Sequence, residues 1–438
     1  MIMRIRPFKA LRFDKKVVGD PGTCVSPPYD CISESERAEL CRKNEFNIVR
    51  LIKPEPRPAD TPVDNRYTRA ASLLADWIQK GVLRRDDREA VYAYLQDYTV
   101  HAQQFQRVCF IGLGGIEQLG NAVRPHENTL EEPIVDRLSL TRATGAVFGL
   151  ILMLYDDSEQ VAEAIAGEQV DGGRPLLDFR DDENVRHRLL AITDAGKIGS
   201  IREMMEPKNC IIADGHHRYQ TALAYFTRAQ RRDGAFQMMA FANGRQRGLS
   251  ILATHRLVAN LRDFRLQPLI TGLRSNFNVV EYGFNGGRSK DTARSLMLER
   301  MNKEFSAGET AVGMYAGGAF HAVVLKNRAA MDSAVSGRSG AWRRLDVSVL
   351  HKMILERLLG IGERDLASHK YVEYVKDTDE AVAESINRVD AGEKQIAFFM
   401  NPVTMEQLKS VTKSGERMPQ KSTFFYPKVY TGLTVQKL

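Results

Sequence analysis

The chain lacks the cysteine patterns that form disulfide bonds in small domains or bind zinc. Its five cysteines form an odd, scattered set with no CxxC pair: Cys24, Cys31, Cys41, Cys109 and Cys210. Neither a disulfide framework nor a zinc ribbon is therefore indicated. The sequence favours a protein of a reducing compartment, with enough apolar residues to fold on its own core.

Long apolar runs are also missing. Residues 1–9 do not contain the apolar stretch that a signal peptide needs. The longest uncharged apolar stretch, 144–155, is much shorter than the about 20 residues that span a bilayer. We therefore expect a cytoplasmic protein with no membrane partner.

Positively charged residues are in small excess over negatively charged ones. The 62 Lys and Arg against 55 Asp and Glu give a net charge of +7 over 438 residues. This mild excess favours anionic partners in general and does not choose among them. No basic recognition helix follows Phe226, so nucleic acid is not an expected partner. With 43% hydrophobic and 27% charged residues, the composition is that of a globular protein and excludes disorder for most of the chain.

No repeat or low-complexity tract interrupts an alternation of helix and strand patterns. The length suggests two or three domains, and we place a boundary near residue 260, giving domains 1–260 and 261–438. Local signals predict a helix opened by a Ser33–Glu36 capping box, a buried strand over 47–53, an antiparallel hairpin over 90–100 and 105–117, and a mobile loop over 328–342.

The strongest chemical signal is the segment Ile211-Ile212-Ala213-Asp214-Gly215-His216-His217-Arg218-Tyr219. The pattern predicts a strand, a tight turn at Gly215 and then a helix. His216, His217 and Arg218 fall in the first helical turn, where backbone N–H groups are unpaired and the helix dipole is positive. Cations are unfavourable there unless an anion joins them. A phosphate would bind the free amides, the guanidinium and the imidazoles together.

Several roles are open for the side chains of this segment. Asp214 could cap the helix, hold Mg²⁺ or act as a base, and in the simplest alternative it caps the helix while the histidines are solvated. A site in which the two histidines bind one metal is disfavoured, because adjacent helical residues diverge by about 100° and no third ligand is suggested nearby.

Other segments offer candidate catalytic or phosphate-binding groups. His126 and Glu127 form a potential acid/base pair, although Thr129 and Glu132 fit a helix capping box equally well. Tyr29 and Asp30 follow a rigid Pro-Pro turn that could be purely structural. Further candidate phosphate-binding residues are Arg137, His255, Arg256 and Lys421. Arg137 is expected to form an exposed pair with Asp136, and His255 and Arg256 are expected at the end of a strand.

The Asp-Gly-His-His-Arg stretch resembles the phosphate motif of the ParB/sulfiredoxin-like superfamily, in the form that free-serine kinases carry. The whole chain resembles a bacterial family defined only as domain of unknown function 1015. That second resemblance rests on further matching segments: Arg6-Pro7-Phe8, Ser26-Pro27-Pro28-Tyr29-Asp30, Pro125-His126-Glu127-Asn128-Thr129, Asp136-Arg137, Thr254-His255-Arg256, Leu345-Asp346, Leu350-His351 and Met418-Pro419-Gln420-Lys421-Ser422-Thr423.

The resemblance implies a mixed α/β fold, with a ParB/sulfiredoxin-like nucleotide-binding core, large insertions and a C-terminal α/β domain. It implies an ATP-dependent kinase, with Mg²⁺, acting on a small hydroxylated metabolite such as serine. Asp214, Gly215, His216, His217 and Arg218 would then hold phosphates, helped by Arg137, His255, Arg256 and Lys421. Asp214 would also be the metal ligand.

Under this hypothesis the base would be Glu127, Asp30 or Asp214, with His126 as a further catalytic candidate. The alternative is a nucleotide-binding ParB-like regulatory or DNA-partition protein without kinase activity. A sulfiredoxin-like repair enzyme would need a reactive cysteine where His216 stands. A nucleotide and a small molecule are the expected partners, and a homodimer is left open.

Overall fold

The computed structural model of the chain describes residues 3–129, 131–228, 235–284, 289–368 and 370–438. The chain divides into two compact units. The first consists of Met1–Pro125, Thr129–Ser250 and Pro427–Leu438, and the second of His126–Asn128 and Ile251–Tyr426. The division near residue 250 lies ahead of the boundary proposed at 260, and the segment Pro427–Leu438 returns to the first unit.

The first unit is built on a mixed sheet to which nine of the described strands belong. The order across the sheet is Val123–Pro125, Cys210–Asp214, Ile151–Tyr155, Phe236–Asn243, Gln103–Gly115, Val91–Val100, Arg186–Ile192 and Leu177–Arg180, with Ile5–Arg6 also paired to Gln103–Gly115. Two pairings are parallel, those of Cys210–Asp214 with Val123–Pro125 and of Phe236–Asn243 with Ile151–Tyr155. The other pairings of this sheet are antiparallel.

Helices and short strands complete the first unit. The helices are Lys15–Val18, Pro21–Thr23, Tyr29–Cys31, Glu34–Lys43, Val49–Ile52, Arg66–Gln79, Glu131–Thr144, Val161–Gly172, Ala195–Met205 and His216–Arg228. The short antiparallel pairs are Leu11–Phe13 with Leu83–Arg85, and Ala146–Val147 with Gln436–Lys437.

The core of the first unit lies against its central strands. Phe110 and Phe241 are cross-strand partners whose ring centroids are 4.8 Å apart, and Tyr155 packs on Phe110 at 5.9 Å. Large aromatic side chains stacked in this way bury much apolar area and fix the strand register. Cys210–Asp214 pairs with Ile151–Tyr155, the strand that contributes Tyr155 to this cluster.

The second unit is built on an antiparallel sheet of different topology. Its described strands follow the order Phe277–Tyr282, Ala319–Leu325, Ala311–Ala316, Ile396–Phe399, Thr254–Val258 and Val372–Lys376. Two further short strands are Ser250–Leu252 and Phe424–Tyr426. The helices are Leu266–Asn276, Lys290–Ser306, Arg328–Ala334, Gly340–Arg343, Asp346–Val349, the π-helix Leu350–Glu356, Glu363–Ala367, Ala381–Asp390 and Met405–Lys413.

The mixed α/β class is confirmed, and several local predictions are too. The helix Glu34–Lys43 opens with the Ser33–Glu36 capping box, and the strands Val91–Val100 and Gln103–Gly115 form the predicted antiparallel hairpin.

Two local predictions are wrong. The expected strand over 47–53 is the helix Val49–Ile52, because a short, fully buried apolar run fits either structure. The expected loop over 328–342 contains the helices Arg328–Ala334 and Gly340–Arg343, which Asn327 and Ser339 cap with their side chains.

In the part of the chain that the structure describes, no helix is both long and apolar enough to cross a membrane.

Candidate functional site

The candidate site is centred on a strand that ends in a turn and a helix. We call Cys210–Asp214 the site strand and His216–Arg228 the site helix. The pairing register of the site strand shifts between Ile212 and Asp214, which changes the direction of the strand at its last residue. Gly215 follows with φ +89°, a conformation that strongly favours glycine. The helix then packs inward through Tyr219 and Phe226, as its spacing predicted.

Arg218 is held in one position by several contacts. Its Nη2 donates to Asp214 Oδ2 at 2.8 Å and its Nη1 donates to the carbonyl of Leu150. A Cβ added at Gly149 would lie 3.3 Å from Arg218 Cδ, and one at Gly215 would lie 3.0 Å from Cζ. The guanidinium therefore lies directly against two glycines, and the side chain is only 8% exposed.

Asp214 is shared between Arg218 and a lysine far away in the sequence. Lys428 Nζ donates to Asp214 Oδ1 at 2.9 Å, across 214 residues of chain. The carbonyl of Lys428 accepts a hydrogen bond from Gln96 Nε2 at 2.9 Å, which fixes the lysine backbone. Sequence reasoning missed Lys428, because no local motif marks it.

The two cations decide the chemistry of Asp214. Burial raises the pKa of this carboxyl, but the charges of Lys428 and Arg218 outweigh burial and hold the pKa well below its usual range. A carboxylate with so low a pKa is a weak general base. Both of its oxygens already accept bonds from cations, which also disfavours the Mg²⁺ role. Among the described residues, no group of three or more His, Cys, Asp or Glu could hold a metal ion.

Arg137 joins Arg218 in the wall of one pocket, together with Tyr29. The Arg137 guanidinium carbon lies 4.1 Å from the centroid of the Tyr29 ring, a cation–π contact. Its Nη1 donates to the carbonyl of Ile52 at 2.6 Å. The rest of the wall is largely apolar and includes Phe148. Two guanidinium groups thus line a pocket beside the site helix, which also contributes Thr221 and Tyr225 to the wall.

The expectation that Asp136 and Arg137 form an exposed pair is wrong. The Arg137 side chain is only 11% exposed, and its Nε donates to Asp136 Oδ2 at 2.8 Å. The other oxygen of Asp136 accepts from Arg66 Nη2 at 2.7 Å and from the Tyr67 hydroxyl at 2.8 Å. The pair is packed because these partners and the Tyr29 ring cover it.

Asp30 belongs to the same neighbourhood. It lies in the short helix Tyr29–Cys31 and is exposed. Burial lowers the pKa of Arg218, but the charges of Asp214 and Asp30 outweigh burial and raise it. Burial, assisted by the Asp30 charge, raises the pKa of Tyr29 to about 12. These effects require Asp30 to lie within electrostatic range of the pocket.

Five of the predicted site residues belong to the second unit: His126, Glu127, His255, Arg256 and Lys421. His126 Nε2 and Thr423 Oγ1 share a hydrogen bond of 2.8 Å, and Glu127 Oε1 lies 3.9 Å from the same nitrogen. The backbone N–H of Met418 donates to the carbonyl of His126 at 2.8 Å. These contacts fix His126 against the segment 418–423, whereas the distance to Glu127 is too long for a hydrogen bond.

His255 and Arg256 were expected at a strand end, but they lie within the strand Thr254–Val258 and are buried. His255 Nε2 lies 3.2 Å from Asp377 Oδ1, and the N–H of Met400 donates to His255 Nδ1 at 3.2 Å. Arg256 Nη2 donates to the carbonyl of Lys421 at 2.9 Å. Arg256 is buried and the side chain of Lys421 is exposed.

Arg218 of the site helix and Arg137 of the helix Glu131–Thr144 together define a candidate anion-binding site in this mixed α/β protein. The sequence profile of a family described as "Protein of unknown function (DUF1015)" matches residues 5–348, and the chain belongs to that family. Among curated proteins, none matches the sequence.

Solved structures show weaker similarities. A point variant of a free serine kinase in complex with AMP is 11% identical, with a TM-score of 0.34 over 71% of this chain and 89% of that one. Another variant, in complex with ADP, is 10% identical, with a TM-score of 0.34 over 70% and 84%. A conserved hypothetical protein from Pyrococcus furiosus is 13% identical, with a TM-score of 0.33 over 73% and 92%. Similarities at this level do not assign a function to the chain.

Proposed function

We propose that this protein is an ATP-dependent phosphotransferase that acts on a small hydroxylated metabolite, with an amino acid such as serine as one candidate. One observation carries the proposal: Arg137 and Arg218 line a single pocket beside the site helix. Guanidinium groups and the free N–H groups of a helix start are the usual protein donors to phosphate oxygens.

The charge balance around Arg218 supports a polyanionic ligand. Asp214 carries one negative charge between the positive charges of Lys428 and Arg218, so the trio has a net charge of +1. Adjacent to it, His216 and His217 occupy the first turn of the site helix. In this proposal Asp214 positions the two cations, while Arg218 and the helix amides bind the phosphates of ATP.

Asp30 is our preferred base. A base for attack on a terminal phosphate must reach the substrate hydroxyl and be free to accept its proton. Asp30 is exposed and within electrostatic range of Arg218, whereas Asp214 is held ionised by two cations. Glu127, with His126, belongs to the second unit and is kept as the alternative base.

Mg²⁺ is expected only as the companion of ATP. Kinases handle ATP with Mg²⁺ bound largely by phosphate oxygens and waters, with few protein carboxylates. The engaged oxygens of Asp214 do not fit a protein-held ion, so we assign no residue of this chain to Mg²⁺.

The test is ATP turnover by the purified full chain. With ATP, Mg²⁺ and a pool of hydroxylated metabolites, we expect ATP consumption and a phosphorylated product identified by mass spectrometry. Arg218→Ala should lower kcat/KM at least tenfold, since a charge-assisted hydrogen bond contributes about 1.5–3 kcal/mol. Arg202→Ala, at an exposed arginine of the helix Ala195–Met205, is the matched control and should be unchanged.

Three outcomes separate the alternatives. Absence of turnover with any metabolite, or turnover that Arg218→Ala leaves intact, would contradict the kinase proposal. Nucleotide binding without a phosphorylated product would favour a ParB-like switch. Loss of activity in Asp30→Asn but not in Glu127→Gln would support our choice of base, and the reverse would overturn that choice.

A further inference from the structure

The second unit contains a cavity of its own, remote in sequence from the site strand. Its volume is about 120 Å³, and its wall includes Trp342, His351, Arg338 and Arg417. Because a buried water needs about 10–15 Å³ on the same measure, a phosphate-sized or carboxylate-sized group would fit. His351 lies in the π-helix Leu350–Glu356, a rare conformation that is frequent at functional sites.

His351 is a buried polar group that lacks a partner. The residue is only 6% exposed, and its Nε2 has no hydrogen-bond partner among the described residues. Burial lowers its pKa, and the positive charges of Arg256 and Lys352 lower it further. The imidazole is therefore neutral in a positive field. A buried nitrogen in such surroundings costs free energy unless a ligand satisfies it.

The arginines of the cavity are only weakly paired. Arg417 Nη1 donates to the neutral side-chain oxygen of Asn128 at 3.1 Å. Arg338 stacks on Trp342, with its guanidinium carbon 5.1 Å from the ring centroid, and reaches Glu416 only at 3.9 Å.

The acidic groups of the wall are already neutralised. Lys352 Nζ donates to Glu356 at 2.7 Å and to Glu363 at 3.0 Å. Arg256, whose charge acts on His351, is buried with carbonyl acceptors, and no carboxylate of the described residues forms an ion pair with it. A buried guanidinium without a counter-charge leaves a positive field that an anion would satisfy.

We propose that this cavity binds an oxyanion, the phosphate or carboxylate group of a small metabolite, through Arg417, Arg338 and His351. The site consists of residues of the second unit, shares none with the proposed phosphate site at Arg218, and does not depend on the kinase proposal. Trp342 in its wall provides a built-in reporter.

The experiment uses tryptophan fluorescence of the full chain titrated separately with inorganic phosphate and with acetate. The sequence contains only two tryptophans, Trp77 and Trp342, so a change that Trp342→Phe abolishes must come from this cavity. Carrying Arg218→Ala in the background removes binding at the other site. Equilibrium dialysis with labelled phosphate or acetate measures binding independently of the tryptophan signal.

We expect a saturable change with at least one of the two ions, and their relative affinities identify the preferred ligand. Arg417→Ala should weaken that affinity about tenfold, the loss expected for one charge-assisted hydrogen bond. The exposed Arg344→Ala is the matched control and should bind normally. Absence of saturable binding, binding equal in Arg417→Ala, or binding by dialysis that leaves Trp342 unchanged would overturn the proposal.

Discussion

Gly215 offers the sharpest test of how the site is built. Replacing it with alanine forces an L side chain into φ +89°, which costs about 1–2 kcal/mol. The new Cβ would also lie 3.0 Å from Arg218 Cζ, so the guanidinium must move away from its acceptors. Weakening a charged hydrogen bond adds about 1.5–3 kcal/mol. We expect Gly215→Ala to lose roughly 2.5–5 kcal/mol in total.

Two other glycines of the first unit separate these contributions. Gly81 has φ +72° with open space around it, so Gly81→Ala should lose only the backbone part, about 1–2 kcal/mol. Gly199 lies inside the helix Ala195–Met205, also in open space, and Gly199→Ala should gain about 0.5–1 kcal/mol. The three substitutions are chemically identical, and their expected effects differ in size and in sign.

The assay is urea unfolding followed by tryptophan fluorescence. In a Trp342→Phe background, Trp77 on the helix Arg66–Gln79 reports on the first unit alone. The expected order of stability is Gly199→Ala, parent, Gly81→Ala and then Gly215→Ala. Equal losses at residues 81 and 215 would mean that the Arg218 contact contributes nothing, and a Gly215→Ala protein as stable as its parent would refute the reasoning.

Two further predictions concern buried charges. Lys428→Met should destabilise the first unit by about 1–3 kcal/mol in urea unfolding, since it removes a charged donor from Asp214, and the exposed Lys9→Met should be neutral. Burial raises the pKa of Asp346 in the second unit to about 7, so stability is full below the ordinary aspartate pKa and falls as pH rises from about 4 to 7. Asp346→Asn should remove that fall, and a pH profile of unfolding that it leaves unchanged would contradict this assignment.

The sequence correctly predicted those helices, strands and turns that are specified by patterns of a few neighbouring residues. The site strand, the turn at Gly215 and the inward face of the site helix were predicted because strand, glycine and helical spacing are contiguous. The Ser33–Glu36 capping box was predicted for the same reason, and both of its reciprocal hydrogen bonds are present.

The rest of the site depends on contacts that no local pattern contains. Lys428 reaches Asp214 across 214 residues, and Leu150 reaches Arg218 across 68. The packing of Arg137 follows from the ring of Tyr29, which comes from a different segment. A sequence can indicate that a cationic side chain needs an anionic partner. Only the folded chain determines which groups bind that cation.

The return of Pro427–Leu438 to the first unit makes that unit discontinuous in the chain. During synthesis, the strands and helices before residue 250 are completed first. The salt bridge between Asp214 and Lys428 can form only after the intervening second unit has also been synthesised. Such long-range closure slows folding. A fragment that stops after Ser250 would contain the site strand and the site helix without Lys428, so it would lack a cation that lowers the pKa of Asp214.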